Sequence, residues 1–190
     1  MMTEESLQTY LRADERVCWQ GRTGNFPLLD NGTRMRTLGL WIGTAAVTGG
    51  VLVVYCHLVP QRSMGFIGLV ALVGMIIAAA PFLERRTLLR QKYWLTNQRA
   101  ILMTRDNTFF DMELSDIDDF RVVREIAAED CLVLGSCMFG EIDRQLRWRA
   151  CHPMIHLQNG GDEDRVMGLI CYCVGNAEGA AAQLRQRLGT

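Results

Sequence analysis

Apolar and polar positions divide this chain into three regimes. Residues 1–37 mix charged and apolar positions, with no long run of either. Two apolar runs follow, Leu38–Val59 and Met64–Leu83, parted only by Pro60-Gln61-Arg62-Ser63. Neither run contains Asp, Glu, Lys or Arg. A helix rises about 1.5 Å per residue, so about 20 residues cross a hydrocarbon core of about 30 Å. The pattern therefore predicts a two-helix membrane hairpin over 38–83, with helices at 38–59 and 64–83. Residues 84–190 form a third, polar segment large enough for one small core.

Within that segment the helical pattern carries on through Glu84–Lys92 and then gives way to strand-like runs. Tyr93-Trp94-Leu95, Ala100–Thr104 and Thr108–Leu114 are β-rich, with turn signals at Thr96-Asn97-Gln98-Arg99 and Asp106-Asn107. Phe120–Arg124, Cys131–Leu134, Met154–Gln158 and Arg165–Val174 continue the series. Ser115–Asp118 reads as one capped helical turn, and Asn159-Gly160-Gly161-Asp162 as a hairpin turn. Before the membrane runs, Arg16–Trp19 has the look of a short strand and Ser6–Leu11 of an amphipathic turn. At the other end, Ala177, Ala180, Ala181, Leu184 and Leu188 recur at helical spacing behind Asn176, a good N-cap. The predicted class is α+β: a transmembrane hairpin, then a small antiparallel β-barrel or sandwich plugged by a C-terminal helix.

Charge sets the expected topology. Arg34 and Arg36 precede the first run, and Arg85, Arg86, Arg90 and Lys92 follow the second, whereas the connecting loop carries only Arg62. Basic residues stay on the cytoplasmic side. Both termini are therefore expected in the cytoplasm of a multi-pass inner-membrane protein. The acidic start and the length of the first run argue for a retained anchor instead of a cleaved signal. A formal net charge of −1 and the lack of a basic stripe exclude a dedicated nucleic-acid binder. Small residues recur at Gly39 and Gly43 and at Gly74 and Ala78, a spacing that lets helix backbones approach closely. Hairpin packing explains them most simply; self-association through the same faces is the sharper alternative.

Few residues offer chemistry. Of seven cysteines, Cys171 and Cys173 would share one face of a strand, with Cys151, His152 and His156 the nearest other soft ligands. The spacing is not that of a zinc knuckle, and cysteine is also a small core hydrophobe. No metal or other cofactor is expected. Asp111, Glu113, Asp116, Asp118 and Asp119 crowd one segment but lack calcium-loop spacing, so they read as a solvated acidic edge. There is no phosphate loop, dinucleotide fingerprint or nucleophile elbow. The collar of Arg85, Arg86, Arg90 and Lys92 sits at the bilayer exit. Topology accounts for it, and contact with lipid headgroups is the further candidate role.

Four stretches in order carry a resemblance. They are Asp14-Glu15-Arg16-Val17-Cys18-Trp19-Gln20-Gly21-Arg22, the apolar hairpin, Tyr93-Trp94-Leu95-Thr96-Asn97-Gln98-Arg99-Ala100-Ile101, and Gly175-Asn176-Ala177. Together they resemble the bacterial pleckstrin-homology-like domain of the membrane-flanked type, with Thr23 where that family has proline. The resemblance implies a seven-strand barrel with a C-terminal helix and no catalytic residues. It gives Glu15, Trp19, Gly21, Arg22, Tyr93, Leu95, Thr96, Asn97, Arg99 and Asn176 as motif positions of structural weight. Tyr93 and Leu95 alternate toward one face and should be core. Thr96 and Asn97 should shape a turn through their own backbone. Arg99 should pair with a carboxylate or reach a lipid phosphate.

The reading that follows is a non-enzymatic membrane protein. It presents its domain to membrane lipids, to an unknown protein partner, or to a second copy of itself. An accessory subunit of a larger membrane complex is the alternative. A thiol- or metal-dependent membrane enzyme ranks below both.

Overall fold

The computed structural model describes residues 7–29, 34–124, 127–136 and 168–188. Strand β1 (Val17–Arg22) precedes the two long helices α1 (Arg34–Leu58) and α2 (Met64–Leu88). Strands β2 (Lys92–Thr96), β3 (Arg99–Met103) and β4 (Phe109–Glu113) follow, then a 3-10 turn at Leu114–Asp116. Strands β5 (Phe120–Val123), β6 (Cys131–Leu134) and β7 (Leu169–Cys171) lead to the last helix, α3 (Ala177–Leu188). The class is α+β. Met154–Gln158 and the turn at 159–162 lie outside the described residues.

Each long helix has 25 residues and is apolar enough to cross a membrane. Very little of either is buried inside the molecule, and Ile42, Val47, Val54, Leu69, Met75 and Ile76 are exposed. A soluble core helix would bury such side chains. Both helices outrun the apolar stretches, because their polar ends pair with each other: Arg36 donates to Glu84 across the base at 3.1 Å. α2 stops at Leu88 and does not continue to Lys92. Gln91 N–H turns back to Leu88 O (3.0 Å), and Lys92 opens a strand instead.

The helices meet at Gly74 and Ala78 of α2 but not at Gly39 and Gly43 of α1. A Cβ on Gly74 would come within 2.8 Å of Thr48 Oγ1, and Trp41 Nε1 donates to the Ala78 carbonyl at 3.0 Å. Gly39 and Gly43 have nothing within 4 Å of a Cβ position. The predicted small-residue contact is therefore half right. Gly74 and Ala78 face the partner helix, and Gly39 and Gly43 face away from it.

The strands form two antiparallel sheets, β1-β2-β3-β4 and β5-β6-β7. No barrel closes among the described residues, which corrects that half of the barrel-or-sandwich expectation. The 3-10 turn after β4 redirects the chain, and the next strand starts a second sheet, where Gly135 N–H donates to Asp119 O (2.9 Å). The two sheets enclose one core. Tyr93, Leu95, Leu102, Phe110 and Met112 come from the first, and Leu132, Leu134, Leu169 and Cys171 from the second. Ala177, Ala180, Ala181 and Leu184 of α3 complete it, since that helix packs on β5, β6 and β1. The far face of the second sheet is covered by the hairpin base: Val133, Ile170 and Tyr172 pack with Phe26 and Leu88. On the far face of the first sheet, Trp94, Ile101 and Met103 pack under Leu7 and Tyr10. Residues 7–10 are helical there, in line with the predicted amphipathic turn.

Candidate functional site

β1 and β2 lie on either side of the two-helix hairpin in sequence and side by side in space. The register sets Trp19 against Leu95, Gln20 against Trp94, Gly21 against Tyr93 and Arg22 against Lys92. The two stretches singled out from the sequence are therefore one structural unit, and most of their side chains serve that junction.

Its centre is Arg99. The guanidinium forks onto Glu15, with Nε to Oε1 at 3.0 Å and Nη2 to Oε2 at 3.1 Å. Its Nη1 meets Asp111 Oδ2 at 3.2 Å, and Nη2 also donates to the Tyr10 carbonyl at 2.8 Å. The Tyr10 ring covers it, 4.6 Å from the guanidinium carbon, and the Tyr10 hydroxyl donates to Asp111 at 2.8 Å. Thr96 Oγ1 donates to Glu15 Oε1 (2.7 Å), and Arg12 pairs with Glu113 at 2.7 Å just outside. Side-chain exposure is 5 % for Arg99, 0 % for Glu15 and 7 % for Asp111. Burial of this depth is costly unless each charge is paired and hydrogen-bonded, and here all three are.

The electrostatics follow from that geometry. Burial pushes the Glu15 carboxyl up. Hydrogen bonds from Arg99, the Arg12 amide and Thr96, with the Arg99 charge, outweigh it and hold Glu15 below the usual carboxylate range. Burial likewise works against the Arg99 charge, and Glu15 and Asp111 outweigh it, so Arg99 is protonated more firmly than usual. Arg99 thus takes the carboxylate partner that the sequence offered as one of two options. Asp111 and Glu113 correct the solvated-edge expectation, because the alternation of β4 places both on the face that residues 7–12 cover. Asp118 is engaged too: it accepts from the Ser136 hydroxyl and, at 2.8 Å, from the Ser136 amide.

Tyr93, Thr96, Asn97, Trp19, Gly21 and Asn176 serve the local structure. The Tyr93 hydroxyl donates to Gln91 Oε1 (2.8 Å), lies 3.0 Å from Thr23 Oγ1 and accepts from the Tyr172 amide (3.2 Å), so it ties the end of β1 to both sheets. Thr96 Oγ1 accepts from the Arg99 amide at 2.9 Å, as a turn-former should. Asn97 instead reaches across, accepting from the Arg16 amide at 2.7 Å and donating to the Asp14 carbonyl at 3.2 Å. The Trp19 ring lies over Gly21, where a Cβ would come within 2.4 Å of it. Asn176 caps α3 by accepting from Gly179 N–H at 3.2 Å.

The basic collar splits. Arg85 turns inward, donating to the Phe26 carbonyl (2.8 Å) and to Asn25 Oδ1 (2.9 Å). Arg86 and Arg90 are exposed and Lys92 is half-buried. None of these three makes an ion pair among the described residues.

Cys171 and Cys173 do not share a face. β7 ends at Cys171, and Cys173 takes a left-handed backbone (φ 51°), which breaks the alternation that would put both thiols on one face. Cys171 lies in the main core and Cys173 in the cluster over the hairpin base. Burial, with Cys131 beside it, pushes the Cys171 thiol far up, away from a reactive thiolate. Cys151, His152 and His156 lie outside the described residues. Among the described residues no three His, Cys, Asp or Glu side chains gather as a metal site. No family model matches the chain, and no curated protein or solved structure matches it.

Proposed function

We propose that the chain is a non-enzymatic membrane-anchored protein whose pleckstrin-homology-like domain is held against the cytoplasmic face of the inner membrane. There it serves recognition of lipid or protein at that surface. The observation that carries the reading is the β1–β2 pairing. The chain leaves the first sheet at Arg22, runs through two helices long enough to span a bilayer, and re-enters the same sheet at Lys92 as the neighbouring strand. A domain clamped at both ends of a hairpin is fixed in height and orientation at the surface, unlike one on a flexible tether.

The pairing also supports an even number of crossings, because its two strands must lie on one side of the bilayer. The basic flanks favour the cytoplasm for that side. The test is labelling by a membrane-impermeant maleimide in intact cells, with Cys56 replaced by Ser. The loop variant Ser63→Cys should be labelled from outside, and Cys18 only after permeabilisation. Labelling of Cys18 from outside would reverse the orientation, and release of the chain by alkaline carbonate would remove the anchor altogether.

A second reading, a subunit docked in a larger membrane complex, draws on the open face of α1. Gly39, Gly43, Gly49 and Gly50 all have free space where a Cβ would stand. Changing Gly43 to Ile, followed by size analysis in mild detergent, separates the two. Loss of a larger complex favours the second.

A further inference from the structure

The registers of the first sheet fix which of its ends lies toward the hairpin. β2 opens at Lys92, just after α2 closes at Leu88. Lys92 is thus four residues from the helix end, and Thr96 stands at the opposite end of the strand, about 13 Å along it at about 3.3 Å per residue. Antiparallel pairing carries this across the sheet. Arg22 and Met103 both stand opposite Lys92, and Phe109 stands opposite Met103. The near rim therefore consists of Arg22, Lys92 and the turn that carries Arg105. The far rim holds Thr96, Arg99 and Glu113.

Charge separates between these rims. The far one sets Asp14, Glu15, Glu113 and Asp116 against Arg12, Arg16 and Arg99, and its buried charges are paired. At the near one Arg22, Lys92 and Arg105 join Arg86 and Arg90 from the end of α2. None of the five makes an ion pair among the described residues. The turn's own acid, Asp106, accepts from Thr104 and Thr108. Glu129 is turned against Gly24 and Gly175, and Glu84 is paired with Arg36.

Arg22 beside Lys92 is the informative pair. Like charges directly opposed on adjacent strands repel, yet the fold sets these two together with no described carboxylate to separate them. An anion shared between them turns that cost into a gain. Membrane topology accounts for cations that flank α2 in sequence. It does not account for the placement of Arg22 on this rim, which the β1–β2 register sets, or of Arg105, which the β3–β4 turn sets.

We infer that this rim is a docking surface for anionic phospholipid headgroups of the leaflet on the domain's side. Arg22 and Lys92 share one phosphate, and Arg86, Arg90 and Arg105 take its neighbours. The inference rests on the proposed membrane anchoring and adds the lipid class and the residues that select it.

The test uses the full chain reconstituted in vesicles of phosphatidylcholine alone or mixed with phosphatidylglycerol. Three quantities are read: the unfolding midpoint, the preference for phosphatidylglycerol among retained lipids, and resistance to alkaline extraction. The wild-type midpoint should rise with phosphatidylglycerol, and the rise should shrink as salt is added. The double variant Arg22→Gln/Lys92→Gln should be at least as stable as wild type in phosphatidylcholine and lose most of the rise. Anionic preference should fall roughly five-fold per charge removed. Arg105→Gln should show a smaller loss of the same kind, and Arg16→Gln, on the far rim, none. An undiminished rise in both rim variants, or an equal loss in Arg16→Gln, overturns the inference while the anchor stands. Extraction of the wild-type chain by alkali overturns the anchor, and the inference with it.

Discussion

Arg99 answers two carboxylates and a carbonyl from one planar group, and a fork of this kind is not replaceable by a point charge. Its removal leaves Glu15 buried without a cation and Asp111 with only the more distant Arg12, 3.9 Å away. Arg99→Ala should therefore destabilise the protein by about 3–5 kcal/mol, as measured by chemical unfolding in detergent. Arg99→Lys keeps the charge without the fork and should recover only part of that. Acid acts on the same group from the other side. The folded pKa of Glu15 lies below that of an ordinary glutamate in the unfolded chain. Its contribution is thus complete above that unfolded value and disappears as pH falls through the lower, folded value. Unfolding midpoints taken across the acid range should decline there, and Glu15→Gln should flatten the decline. Much of this was legible as residue types: the paired motifs named Glu15, Thr96 and Arg99, and a carboxylate partner for Arg99 was among the options. Asp111 was not legible. An acid on the outward face of a strand reads as solvated until one knows that Tyr10 and Arg12 lie across it, and that contact spans about a hundred residues of chain.

Among the elements, the two helices test the difference between a small residue that is packed and one that is merely small. A branched side chain at Gly74 must displace Thr48, whereas one at Gly43 meets open space. Gly74→Val should weaken hairpin packing, seen as lost cross-linking between cysteines placed at Trp41 and Ala78. Gly43→Val should leave that cross-link intact. Overpacking of this kind costs about 1–3 kcal/mol. The places of β2, β3 and β4 along the chain were readable because Tyr93 and Leu95 alternate against Trp94 and because Asn97 and Asn107 mark the turns, whereas the pairing of β1 with β2 across the hairpin was not. Helix ends were less readable. Continuation past Glu84 was expected, but as far as Lys92, whereas the backbone turns at Leu88. At the other helix Arg36 looks like the limit of the apolar run, yet it pairs with Glu84 and the helix begins before it, at Arg34.

For the whole molecule, the hairpin is an insertion between neighbouring strands of one sheet. Cutting it out should leave the sheet able to form. A chain in which a short glycine-rich loop joins residue 29 to residue 88 keeps Phe26 and Leu88 on the second sheet. It should be soluble and unfold in a single cooperative step, as monitored by circular dichroism and size exclusion. Failure to fold would mean that the helices supply more than a tether. The same construction orders events during synthesis. β1 is made first and has no partner until β2 follows the second helix, so under the proposed anchoring its polar edge would wait, unpaired, while the hairpin passed into the bilayer. Should one helix fail to cross, the two strands would finish on opposite sides of the membrane and could not meet. Under the proposed anchoring, the Arg22–Lys92 register would act as an inspection step in biogenesis: only a hairpin inserted with both ends on one side would yield a closed sheet, and a misinserted chain would be left with an open strand edge for quality control to find.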